Sequence, residues 1–137
     1  ARFKCGALGT FEATRFAAGR KNFHRIEING EKGTIWFEFE DMNRLKYYNC
    51  EEPEEMRAFK DILVTEGSHP YISHWWPAGH IIGYENTFVN QFSDFFHAIK
   101  TNEDVKPNFY DGLKINQVLD AVMKSTETGA WTKVDDM

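Results

Sequence analysis

The residues best placed to do chemistry lie in one stretch, "WWPAGHIIGYENTF", which runs from Trp75 to Phe88 directly before a predicted helix. Two tryptophans, a proline and a lone histidine sit there among glycines. Such a stretch suits either a ligand-contacting loop or an aromatic lid over the core. On residue types alone the lid is favoured: Trp75 and Trp76 close a core edge, Pro77 and Gly79 shape the turn, and Tyr84 anchors the helix start.

Other candidates are weaker. Of the five histidines, His69, His74 and His80 lie at spacings of five and six in a segment broken by proline and glycine, with no Cys or carboxylate at a ligand offset. Convergent zinc ligands are not expected from that pattern, and no metal site is assigned. Asp94 and His97, at i and i+3 on one predicted helix, could pair as carboxylate and imidazole. That helix carries a phenylalanine stripe, however, and the pair falls on its exposed flank. "GALGTF" lacks the GxGxxG spacing and precedes a strand, and neither a GxxxxGK[ST] loop nor a nucleophile elbow occurs. The chain therefore holds no complete catalytic constellation.

The elements that must position these residues fall into two blocks. From Phe3 to about Thr65 the apolar pattern has period two, giving about five strands: "GALGTFEATRF", "FHRIEI", "TIWFEFE", "RLKYYN" and "FKDILVTE". "NGEKG", between the second and third, predicts a hairpin whose glycines supply positive φ. The period then changes to about 3.6. Phe88, Phe92, Phe95, Phe96 and Ile99 form the stripe of a helix from about Thr87 to Lys100, capped by Asn86. A second helix starts near Asp111 as N-cap, buries Ile115, Val118, Leu119 and Val122, and stops at Gly129; "WTKV" reads as a short final strand. Strands first and helices later predict an α+β domain with an open, mostly antiparallel sheet and helices on one face. The other face, if it presents Phe11, Phe16, Trp36 or Tyr47, is apolar enough to be an oligomer interface.

Length and charge bound the rest. The 137 residues fit a single domain, residues 1–137, and the net charge of −5 with scattered lysines and arginines argues against nucleic acid. No run approaches the ~20 apolar residues of a membrane span, and Cys5 and Cys50 read as reduced thiols of a cytoplasmic protein. Ala1 is not an initiator methionine, as expected for a piece of a longer polypeptide, a processed N-terminus or a trimmed tag.

Three segments taken together resemble the C-terminal domain of the glucose-fructose oxidoreductase and myo-inositol dehydrogenase (Gfo/Idh/MocA) family. They are "INGEKGTIWFEFEDMNRLKYY", "WWPAGHIIGYENTFVNQFSDFFHAI" and "KPNFYDGLKINQVLDAVMKSTETGAWTKV". Within them lie a G-x-x-G-x-(I,L)-x-(F,W) strand start at Gly30 to Phe37, Gly-His and Gly-Tyr-Glu between Gly79 and Glu85, and P-x-F-x-D-G-L at Pro107 to Leu113.

The resemblance implies an NAD- or NADP-dependent oxidoreductase acting on a sugar, polyol or related hydroxylated compound, with its Rossmann domain ahead of this one. The family's dinucleotide loop, its Glu-Lys-Pro lysine and its Asp and His before the sheet would all precede Ala1. This chain is then expected to bind no cofactor and to hold no catalytic residue. It also implies subunit association through the open sheet face, and it turns the loop from a lid toward a substrate site. His80 and Trp76 are the expected substrate contacts, with Trp75 and Tyr84 behind them. A free-standing binding module of the same fold is the alternative.

Overall fold

The computed structural model describes residues 1–134. They form two compact units, residues 1–82 and the segment from Gly83 onward. The first unit is built on four antiparallel strands in the order of the chain: β1 (Arg25–Gly30), β2 (Gly33–Glu38), β3 (Arg44–Asn49) and β4 (Lys60–Leu63). With the two helices of the second unit, the class is α+β with an open antiparallel sheet, as the two sequence periods predict.

The register explains the alternation. Glu27 faces Trp36, Trp36 faces Lys46 and Lys46 faces Asp61, so one row of polar and aromatic side chains crosses all four strands on one face. The Arg25 guanidinium lies 4.4 Å over the Trp36 ring and pairs with Glu27 at 2.5 Å. Lys46 approaches the same ring at 5.8 Å and pairs with Asp61 at 2.5 Å, while Arg44 reaches Asp61 at 3.2 Å. Hydrogen bonds from Arg25 and Asn29 hold the Glu27 carboxyl below its ordinary range, and the bond from Lys46, helped by Arg44, does the same for Asp61. The opposite face carries Ile26, Phe37, Leu45 and Ile62 in one row and Ile28, Ile35 and Tyr47 in the next. A one-residue slip would exchange these two faces, so the pattern fixes the register.

The β1–β2 connection forms where expected but for a different reason. Gly30 pairs with Gly33, leaving Glu31 and Lys32 as the loop, and none of the four has positive φ. Gly33 is required instead by close approach: a Cβ there would run into the backbone carbonyl of Tyr48 on β3. Cys50 N–H, just past β3, donates to the Lys32 carbonyl at 2.8 Å and closes the corner.

The first of the five expected strands is not one. Ala1 and Gly9 exchange two hydrogen bonds, of 2.7 and 2.9 Å, and Arg2 pairs with Leu8 across a turn in which Gly6 has φ 90°. Beyond that small hairpin, residues 10–16 join no ladder of the described sheet. Alternation marks two unlike faces, but a strand also needs a neighbour to take its N–H and C=O groups. The "WTKV" segment, residues 131–134, is likewise not a strand.

In the second unit α1 spans Tyr84–Thr101 and α2 spans Phe109–Thr128. Helix α1 starts earlier than its apolar stripe suggests. Gly83 is the N-cap, and Asn86 sits one turn in, where its Oδ1 accepts the Gly83 N–H at 2.7 Å. Asn108, not Asp111, caps α2: its Oδ1 accepts from Tyr110 and Asp111, and the Asp111 carboxylate accepts the Asn108 N–H at 2.9 Å. At α2 the two side chains form the reciprocal arrangement that satisfies first-turn donors, whereas at α1 Gly83 has no side chain and its carbonyl accepts the Asn86 N–H at 3.1 Å. Gly129 ends α2 with φ 66°, as expected of a left-handed stop. The phenylalanine stripe of α1 remains about half exposed, from 47% at Phe88 to 63% at Phe96.

Candidate functional site

The aromatic loop lies between β4 and the end of the first unit. Its start is anchored by Thr65 and Ile72, which are 1% and 2% exposed. Between them the chain turns sharply at Tyr71, whose φ of 67° and ψ of −32° with a 2.9 Å bond from Ile72 N–H to the Pro70 carbonyl describe a γ-turn of the strained hand. A single helical turn, Ile72–His74, follows. Trp75 ends that turn half-buried, its N–H donating to Ile72, whereas Trp76 is 59% exposed.

Farther along, Gly79 adopts φ 88° and returns the chain so that the His80 Nδ1 lies 2.9 Å from the Pro77 carbonyl. A carbonyl can only accept, so Nδ1 carries the hydrogen. In the neutral ring this leaves Nε2 as a hydrogen-bond acceptor. His80 is exposed. Tyr84, the fourth candidate, begins α1 in the second unit, 53% exposed and edge-on to Phe88 at 5.1 Å. Trp75, Trp76 and His80 thus share one loop of the first unit, and Tyr84 stands beyond its boundary.

Two of the other four histidines make local side-chain contacts. His69 Nδ1 accepts the Glu66 N–H at 3.0 Å and fixes a turn, and His24 lies 5.8 Å from the Phe39 ring. Among the described residues no three His, Cys, Asp or Glu side chains form a group able to hold a metal. Cys5 and Cys50 are free thiols. Asp94 and His97 lie on α1, His97 exposed.

Two features of this unit are not evident from residue types. The first is a cleft of about 530 Å³ away from the loop, lined by Thr10, Glu12, Thr14, Arg20, Arg25 and Glu27 among others. Its two arginines are already engaged, Arg25 with Glu27 and Arg20 with Glu38 and Glu40 at 3.8 Å, so neither is a free cation for an anionic ligand. The second is Asn43, in the turn before β3. Its Nδ2 donates to the Ile82 carbonyl at 2.8 Å, its Oδ1 accepts the Ile82 N–H at 3.0 Å, and its own carbonyl accepts the Val64 N–H at 2.9 Å. No spacing rule finds such a residue, because its partners lie far along the chain.

Residues 1–134 match the model of the oxidoreductase family's C-terminal alpha/beta domain. Levoglucosan dehydrogenase of Pseudarthrobacter phenanthrenivorans is 36% identical over 134 residues, which cover 97% of this chain and 34% of that enzyme. The crystal structure of an oxidoreductase domain protein from Kribbella flavida superposes with a TM-score of 0.94 at 50% identity, over 98% of this chain and 35% of that one. A levoglucosan dehydrogenase complex with NADH and levoglucosan gives a TM-score of 0.93 at 35% identity, over 99% and 37%. The chain thus spans about a third of the length of the relatives it matches. Among the described residues no helix is long and apolar enough to cross a membrane. With its motifs, its α+β elements and the family model all agreeing from end to end, the chain belongs to the Gfo/Idh/MocA oxidoreductases as their C-terminal alpha/beta domain.

Proposed function

We propose that the protein containing this chain is a cytoplasmic NAD-dependent dehydrogenase of a sugar or anhydrosugar, and that this domain supplies substrate contacts and subunit association. The observation that carries this is the end-to-end likeness to levoglucosan dehydrogenase, whose structures include complexes of NADH with levoglucosan and with L-sorbose. NAD when bound would accept or return hydride at the carbinol carbon. Its site is assigned outside this chain, because the helix N-termini here do not suit a pyrophosphate. That of α2 is closed by Asn108 and the Asp111 carboxylate, and that of α1 carries Glu85 in its first turn.

The domain's own part is to hold the sugar. Trp76 presents an exposed indole for stacking on a pyranose face, and His80 Nε2 accepts a hydroxyl hydrogen; Trp75 and Tyr84 are the further substrate contacts proposed. The test is NAD reduction by the intact enzyme against a panel of anhydrosugars, pyranoses and acyclic polyols. Turnover is expected on a cyclic member of the panel. Turnover confined to substrates with no hydroxyl-bearing ring would overturn the assignment.

Association is proposed through the apolar sheet face. Ile26, Ile28 and Ile35 stand there 62%, 57% and 40% exposed, an unusual amount of β-branched surface to leave in water. Sedimentation of the intact protein should show a dimer or larger species that Ile28→Glu drives toward monomer. A monomer at high concentration without the substitution would remove this role.

A further inference from the structure

Given the substrate role proposed above for the loop, on which this inference rests, we propose that Asn43 is its positioning residue. It would set how tightly the enzyme holds its sugar without touching it. The segment between Val64 and Ile82 carries Tyr71, Trp75, Trp76 and His80, and both of its ends are fixed to this one residue. The Asn43 carbonyl takes the Val64 N–H at the start, and its carboxamide pairs with both polar groups of the Ile82 backbone at the end. A carboxamide offers one donor and one acceptor in one plane, and so copies a strand partner where β3 has not yet begun.

Nothing shorter or acceptor-only satisfies both Ile82 groups. Asn43 and Ile82 are half-buried, which limits how well water can replace either bond. With the ends pinned and Thr65 and Ile72 buried between them, the strained turn at Tyr71 and the Gly79 reversal are held in one arrangement. Loops that present binding groups need such support, because displacement by about 1 Å can cost up to ~100-fold in rate.

The experiment is a kinetic and exchange comparison in the intact enzyme of Asn43→Ala, Asn43→Asp, Trp76→Ala and the double variant Asn43→Ala/Trp76→Ala. Asn43→Asp keeps the size and the acceptor for Ile82 N–H but loses the donor to its carbonyl, and serves if the alanine variant fails to fold. Expected for Asn43→Ala is a fall in kcat/KM of about tenfold, mainly through KM, with faster amide exchange at Ile82 and unchanged protection in β2 and β3. Asn43→Asp should lie between. In the Trp76→Ala background the loss from Asn43→Ala should shrink to about twofold, because Asn43 acts through that side chain. Unchanged KM in both Asn43 variants while Trp76→Ala raises it would overturn the positioning role and leave the substrate role standing. An unchanged KM in Trp76→Ala and His80→Ala would instead remove the substrate role itself. Full additivity of the double variant would show Asn43 acting by general stability alone, against the proposal.

Discussion

Trp76→Ala in the intact protein, on the substrate role proposed for the loop, is expected to lower kcat/KM for a sugar by about tenfold, chiefly by raising KM, and to leave the melting temperature within about 2 °C. The indole is 59% exposed, so little burial is lost when it goes, and exposed substitutions of this kind usually stay within about 0.5 kcal/mol. What it gives up, on the proposed role, is an aromatic face for the sugar. Such contacts contribute about 0.5–1.5 kcal/mol beyond area burial, and about 1.4 kcal/mol is a tenfold change in binding. His80→Ala should cost less, about threefold to tenfold, because one neutral hydrogen bond is worth about 0.5–1.5 kcal/mol. Steady-state kinetics on both variants with thermal melts decides the matter. A drop of many degrees with unaltered KM would return the loop to the role of a lid.

Gly33→Ala should be the most damaging single methyl in the sheet, lowering stability by about 2–4 kcal/mol. The added carbon meets the Tyr48 carbonyl on the neighbouring strand, and backbone in a ladder cannot swing aside as a side chain can. Either β2 and β3 separate at that corner, losing the bond from Cys50 to Lys32, or the hairpin register is strained. Gly67→Ala is the control, since a methyl there meets nothing within 4 Å and the φ is ordinary. Urea denaturation should separate the two clearly. Equal midpoints would mean the corner yields, contrary to this account.

These two positions also show what residue types alone reveal. All four strands of the sheet follow from period two, because each buries or pairs one face and a slip would exchange the faces. Gly33 is legible as a corner, yet its reason is not, since close approach depends on a third strand that the hairpin motif does not mention. The segment after Gly9 shows the opposite failure. Its alternation is as good as that of β1, but pairing is a property of two segments, and a pattern in one cannot supply the other. Helix starts were displaced because Asn86 and Asp111 are cap partners in the first turn rather than caps. At α2 the reciprocal pair, Asn108 and Asp111, contains two polar residues either of which fits the same rule, and at α1 the cap is a glycine that the rule passes over.

For the site, Trp76 and His80 stand out by type and setting, and the structure adds the hydrogen on His80 Nδ1. Asn43 does not stand out at all. It reads as an ordinary turn residue in "EDMN", and only the three-dimensional return of the chain brings Ile82 to its side chain.

That arrangement bears on how such a domain can change its substrate over evolutionary time. A segment tied at both ends to one residue, by its backbone carbonyl at Val64 and its side chain at Ile82, is a cassette: its interior can be rewritten, lengthened or exchanged between relatives while the strands beneath keep their pairing. Lengthening adds little closure entropy, about 0.6 kcal/mol per doubling. On the substrate role proposed for the loop, grafts of it between relatives should therefore carry substrate preference with them when the asparagine is kept in place.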